Sequence, residues 1–167
     1  MNTFTTRRSV RNFNEKTVKK SDLEKIVYAG QCAANGMNRQ HLIFVVLQDR
    51  EEIQRLSKLN AQIMGKPEMD PFYGSSSIIV VFADANDPTY IEDGALAIGN
   101  MLNQAHEMHI GSCWIHRARE EFENEETNDM RKKWNIPQSY QAIGHCVLGY
   151  EDHSGEKEIT SKVVWDL

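Results

Sequence analysis

Cysteine is scarce in this sequence, and the three present, Cys32, Cys113 and Cys146, form no CxxC spacing. An odd count without that spacing argues against a disulfide scaffold and leads us to expect a reducing, cytoplasmic setting. Long apolar runs are also missing. No stretch approaches the roughly 20 apolar residues of a membrane-spanning helix, and the first residues carry no apolar signal core, so neither export nor membrane insertion is expected. Positive charge is in deficit: 19 Lys and Arg stand against 24 Asp and Glu, a formal charge of −5. That balance gives no broad attraction to nucleic acid. Only four prolines occur in 167 residues, and no Pro-, Gly- or Ser-rich linker divides the chain. One domain over residues 1–167 is expected, long enough to bury about 70% of its unfolded surface.

Several fingerprints of bound cofactors and of catalysis are absent as well. Gly94 and Gly99 have the glycine spacing of a P-loop, but no Lys-Ser or Lys-Thr pair follows them. No GxGxxG follows the first strand, and no GxSxG proposes acyl transfer. His106, His109, Cys113 and His116 invite a zinc reading. Cys113 and His116, however, lie three apart on an expected strand and so face opposite sides of a sheet. Four ligands cannot converge that way, and no metal site is expected.

Against the acidic background, one basic cluster stands out: Arg7, Arg8, Ser9 and Arg11, just ahead of Phe13. The forked donors of arginine match phosphate geometry, so three guanidiniums and a hydroxyl in five residues suit one compact dianion.

The hydrophobic periodicity alternates helix and strand. Ser21 with Glu24 reads as a capping box for a first helix carrying Leu23, Ile26, Val27 and Ala33, stopped by Asn35-Gly36. Residues 41–48 (HLIFVVLQ) and 77–83 (SIIVVFA) read as strands buried on both faces. Between them Asp49 and Glu52 open a second helix with Ile53, Leu56 and Ile63, followed by a loop over residues 64–74. Residues 92–110 form the most apolar helix, in which Gly94, Ala95, Ala97 and Gly99 allow close approach of a neighbour. It could serve a dimer interface or simply cover the sheet. Residues 111–116 and 141–150 complete the strands, residues 120–134 form an acidic surface helix, and residues 162–167 are extended with apolar Val163, Trp165 and Leu167. The fold class expected is α+β, a three-layer α/β/α sandwich around a central mixed sheet.

Five pieces in this order, the Arg7–Arg11 cluster, the Asn38-Arg39-Gln40 segment before a strand, Asp93-Gly94-Ala95, Gly111-Ser112-Cys113-Trp114 and Gly149-Tyr150, resemble the FMN-dependent nitroreductase family from about Phe4 to Trp165. The resemblance implies a domain-swapped homodimer with FMN at the subunit interface. It implies that Arg7, Arg8, Ser9 and Arg11 hold the phosphate and adjoining flavin edge. Asn38 and Gln40 would approach the flavin of the partner, Asn60 would contact the isoalloxazine, and the backbone of Trp114, Ile115 and His116 would face flavin N5. It further implies hydride transfer from NADH or NADPH through the flavin to a nitroaromatic, a quinone or a similar small oxidant. His116 and Tyr73 are candidate pocket residues, and the 64–74 loop with Phe72 and Tyr73 is a candidate cover.

Two departures stand out. His41 and Leu42 follow Gln40 where relatives carry Pro-Trp, and the C-terminal basic pair is replaced by residues 154–159, leaving Lys157 as a candidate phosphate contact. These departures keep open a flavin-binding or redox-sensing protein with little turnover, or another oxidoreductase of the same fold.

Overall fold

The computed structural model describes residues 2–150, 155 and 157–166. Among the described residues six α-helices and four strands follow in the order α1 (Thr3–Thr6), α2 (Lys20–Gln31), β1 (Leu42–Leu47), α3 (Arg50–Ile63), β2 (Ser77–Asp84), α4 (Tyr90–Glu107), β3 (Gly111–Ile115), α5 (Ala118–Glu123), α6 (Asn128–Lys133) and β4 (Tyr140–Gly149). Strand β2 explains the layering. Its side chains alternate across the sheet, so Ile78, Val80 and Phe82 enter one core while Ile79, Val81 and Ala83 enter the other. The first core packs under α3, α5 and α6 with Leu56, Phe122 and Met130. The second packs under α2 and α4 with Ile26, Ile98 and Met101. Three layers result, as the sequence pattern requires.

The sheet order is β1-β2-β4-β3, and every hydrogen-bonded neighbour is antiparallel. This corrects the mixed sheet expected from helix–strand alternation. Strands β2 and β3 do run the same way, joined through α4, but β4 inserts antiparallel between them and no parallel pair forms among the described residues. The insertion also makes β1 and β3 edge strands. Only Leu47 of β1 is buried and Val46 is exposed, so residues 41–48 are not the doubly covered strand their composition suggested.

Local signals were met unevenly. Asp49 caps α3 as expected, accepting from the amides of Glu51 and Glu52 at 3.0 Å each. Ser21, by contrast, lies inside α2, whose N-cap is Lys19 with no side-chain bond; the helix ends at Gln31, and Asn35-Gly36 opens the next turn. The helix expected over residues 120–134 is broken into α5, a 3-10 turn (Glu125–Thr127) and α6. Asn124 caps the turn through Glu126 N, and the Thr127 hydroxyl donates to the carbonyls of Glu121 and Asn124, so local side-chain bonds outcompete helix continuation. The 64–74 loop is anchored rather than free. Phe72 is 1% exposed in the first core, and Asp70 accepts from Ser57 Oγ, Phe72 N and Gly74 N. Residues 157–166 form no helix or strand and are exposed, with Trp165 at 77%. Leu167 and the segment 151–154 with 156 lie outside the described residues.

Candidate functional site

The N-terminal segment is tied along the open edge of the sheet. Thr6 Oγ1 meets His106 Nε2 at the end of α4 at 2.9 Å, Val10 N donates to Ser112 O at 2.9 Å, and Asn14 N donates to Tyr150 O at 2.9 Å. Glycine makes this docking possible: a Cβ on Gly111 would stand 3.1 Å from both Val10 methyls, and one on Gly149 2.8 Å from Phe13. The basic cluster is thereby held at the foot of β3. Its members are not equivalent. Arg8 Nη1 is spent on the carbonyls of Thr5 and Arg7 at 2.9 and 2.8 Å. Arg11 is exposed and Ser9 half-buried. Arg7 keeps a buried Nη1 without a hydrogen-bond partner among the described residues.

From that foot the free edge of β3 leads upward to Trp114, Ile115 and His116. The Ser112 carbonyl already points outward to Val10, so by strand alternation the backbone groups of Trp114 point to the same open side. The five residues of β3 span about 16 Å at roughly 3.3 Å each. The indole of Trp114 lies over Gly144, where a Cβ would come within 2.9 Å of it. Ile115 is buried, whereas the His116 ring is exposed. Arg7, Ser9, Trp114 and His116 therefore share one rim of one chain.

Asn38 and Gln40 lie elsewhere. Their turn carries left-handed backbone at Met37, Asn38 and Gln40, which packs Gly36 against Thr89 beside the N-terminus of α4. Gly36 N donates to Asp93 Oδ1 at 2.9 Å, and Asp87 accepts from Arg39 at 3.3 Å and pairs with His41 at 2.8 Å. Gln40 Nε2 donates to Asn38 Oδ1 at 2.9 Å. Both amides line a cleft of about 600 Å³ with Tyr28, Gln31 and Cys32. This corner is separated from the arginine cluster by the 18 residues of α4, about 27 Å, and by the width of the sheet. A single chain does not bring the two halves together.

The remaining expectations distribute as follows. Asn60 is completely buried, its Nδ2 donating to His116 O at 2.8 Å and to Glu121 Oε1. Tyr73 packs against the first core, and Lys157 stands exposed in the C-terminal tail. Among the described residues no group of three or more His, Cys, Asp or Glu side chains is arranged to hold a metal ion. His106, the first member of the zinc array, is engaged with Thr6. A second cleft, of about 570 Å³, is lined by Arg50, Lys58, Ser75 and Ser76 and by Pro67, Asp70 and Gly74 of the 64–74 loop, but by none of the residues expected to contact the flavin.

Sequence reasoning missed two residues that the fold joins to this rim, Glu121 and His145. Both are fully buried, with His145 Nε2 2.8 Å from Glu121 Oε2 and the rings of Phe72 and Phe122 beside the imidazole. The signal was hidden because Glu121 sits in a charged run that reads as solvent-facing. Burial also pushes the Cys146 thiol upward, keeping it protonated at neutral pH.

The Nitroreductase family model matches residues 4–150. A protein of Archaeoglobus fulgidus, provisionally named an NADH dehydrogenase/NAD(P)H nitroreductase, is 31% identical over 87% of this chain and 81% of its own. Among solved structures, a nitroreductase with bound FMN from Bacteroides fragilis superposes with a TM-score of 0.89 at 23% identity, covering 99% of this chain and 96% of that one. An FMN-dependent nitroreductase from Clostridium difficile superposes at 0.79 with 26% identity, covering 99% and 98%. The chain belongs to the nitroreductase family.

Proposed function

We propose that this protein binds FMN between two copies of the chain and serves as an NAD(P)H-dependent oxidoreductase of a small acceptor such as a nitroaromatic or quinone. The observation that carries this reading is the buried, unpartnered Nη1 of Arg7 at the foot of an open strand edge. A buried donor is costly to leave unmet, and a charged one more so. A phosphate supplies a charge-assisted acceptor of the right shape, with Ser9 and Arg11 following in the same short segment. The names of the relatives, which include bound FMN and NAD(P)H, support the same choice of cofactor and donor.

FMN, when bound, supplies the capacity to accept a hydride and pass electrons on. The chain's own part is to bind and orient. Arg7 neutralises phosphate charge, the Trp114–His116 edge offers backbone donors and acceptors alongside the ring, and the Trp114 indole excludes water from that face. Asn38 and Gln40, held by the Asp87 and Asp93 bonds, would come from the second copy, since in their own chain they sit by the N-terminus of α4 and Arg7 by its C-terminus, the helix being about 27 Å long. The exposed tail, with Val163 and Trp165 uncovered, supports exchange of C-terminal segments between copies. Lys157 in that tail would add charge near the phosphate.

The test is an anaerobic visible spectrum of purified protein titrated with FMN, before and after NADH or NADPH. Uptake of FMN followed by bleaching supports the reading. A flavin band that persists with both nucleotides reduces the protein to a flavin-binding module, and failure to take up FMN overturns the proposal. Sedimentation of the same sample checks the dimer.

A further inference from the structure

The backbone beyond β3 leaves the sheet in an unusual way. Arg117, directly after His116, has φ 74°, a left-handed conformation that a non-glycine residue adopts at a cost of about 1–2 kcal/mol. Such geometry persists only where surrounding contacts over-determine it. Here they do so from both sides. The His116 carbonyl accepts from Asn60 Nδ2 at 2.8 Å, and the Arg117 carbonyl accepts from Glu121 N at 3.0 Å. The same Asn60 amide donates to Glu121 Oε1, Glu121 Oε2 meets His145 Nε2 at 2.8 Å, and Thr127 Oγ1 donates to Glu121 O at 2.8 Å. Asn60 of α3 thus bonds the His116–Arg117 peptide directly, while Glu121 of α5 holds the following carbonyl and, with His145 of β4, braces Asn60 from behind. Asn60, Glu121 and His145 are each 0% exposed.

An apolar core of equal volume would often be as stable as a buried cluster of polar and ionisable groups, so stability alone is weak grounds for one. Position is a better account. We propose that Asn60, Glu121 and His145 are positioning residues that clamp the His116–Arg117 turn, and so set which backbone groups of the Trp114–Arg117 edge face a bound flavin ring. This rests on the FMN reading above, and it gives Asn60 a role through the His116 carbonyl instead of direct contact with the ring. A clamp of this kind acts on the flavin's redox behaviour and on hydride transfer. It leaves the phosphate end, held by Arg7, nearly untouched.

Asn60→Leu, Glu121→Gln and a control, Ile26→Val, which trims the opposite core, are compared by two readouts. In FMN-free protein, the backbone amide resonances of His116 and Arg117 are expected to move in the first two variants and to stay in place in the control; Trp114 is left out of this readout because it packs against the same core as Ile26. In FMN-loaded protein, the first two are expected to shift the flavin reduction potential and slow its reduction by NADH about tenfold or more, with FMN affinity within about threefold of wild type. Unmoved resonances, or a wild-type potential and rate, overturn the proposal and leave the cluster a structural one. If Asn60→Leu does not fold, Glu121→Gln, which preserves shape and replaces one acceptor oxygen facing Asn60 Nδ2 or His145 Nε2 with an NH2 donor, decides by the same readouts. If the wild-type chain takes up no flavin, the FMN reading fails, while the amide arm still tests whether the clamp holds the turn.

Discussion

Replacing Arg7 by Met should move two measurements in opposite directions. The methionine keeps most of the apolar stem that packs against the sheet and deletes the guanidinium with its unpartnered Nη1. In flavin-free protein that nitrogen is a buried donor without an acceptor, a cost of about 1–3 kcal/mol. The residue as a whole is only half-buried, so the low end applies. Stability of the flavin-free protein should rise by about 1 kcal/mol, which for a chain of this size raises Tm by about 2–4 °C. Affinity for FMN should fall, because one charge-assisted hydrogen bond is worth about 1.5–3 kcal/mol, or about 10- to 150-fold in Kd. Arg8→Met should do the reverse, since Arg8 is already bonded to the carbonyls of Thr5 and Arg7: less stability, little change in affinity. Flavin-fluorescence titration and thermal melts of flavin-free protein read the two effects. An Arg7→Met protein that melts lower and binds FMN as tightly as wild type would refute the reasoning and make Arg7 an ordinary packing arginine.

The anchored loop and the surface charges yield two further expectations. Phe72→Ala should cost about 3–5 kcal/mol, lowering Tm by about 6–20 °C, because Phe72 fills the core beside His145; a loss within about 0.5 kcal/mol in urea unfolding would return the loop to the role of a free cover. The Arg55 guanidinium, bonded at 2.7 and 2.8 Å, holds the Asp129 carboxyl at about 2, below its ordinary 3.8. A carboxyl whose folded value is depressed adds stability above its unfolded value and loses it as pH falls towards the folded one. The stability gap between wild type and Asp129→Asn should therefore close as pH falls from 3.8 to about 2, and a gap that stays level through that window would count against the pairing.

Much of the fold was legible because it depends on short-range pattern. The apolar strands, the Asp49 cap and the alternation of helix and strand follow from period and local hydrogen bonding, which act within a few residues. The arginine cluster was legible for a similar reason, as three guanidiniums in five residues. What misled was context. The charged run around Glu121 gave no hint that one carboxylate turns inward, because its partners Asn60 and His145 lie 61 and 24 residues away. Phe72 looked like a loop tip until Asp70 pinned the turn beneath it.

The sequence by itself determined the class of elements, the two-sided core and the candidate anion site, since each is written in spacing and side-chain chemistry. Only the tertiary structure decided that β4 runs between β2 and β3, that Arg7 alone among its neighbours keeps an unmet buried donor, and that Asn38 and Gln40 stand at the opposite end of α4. Those outcomes turn on which distant segments share a sheet edge. No local pattern encodes that choice, because it is the burial of whole faces that selects among the pairings the strands would individually allow.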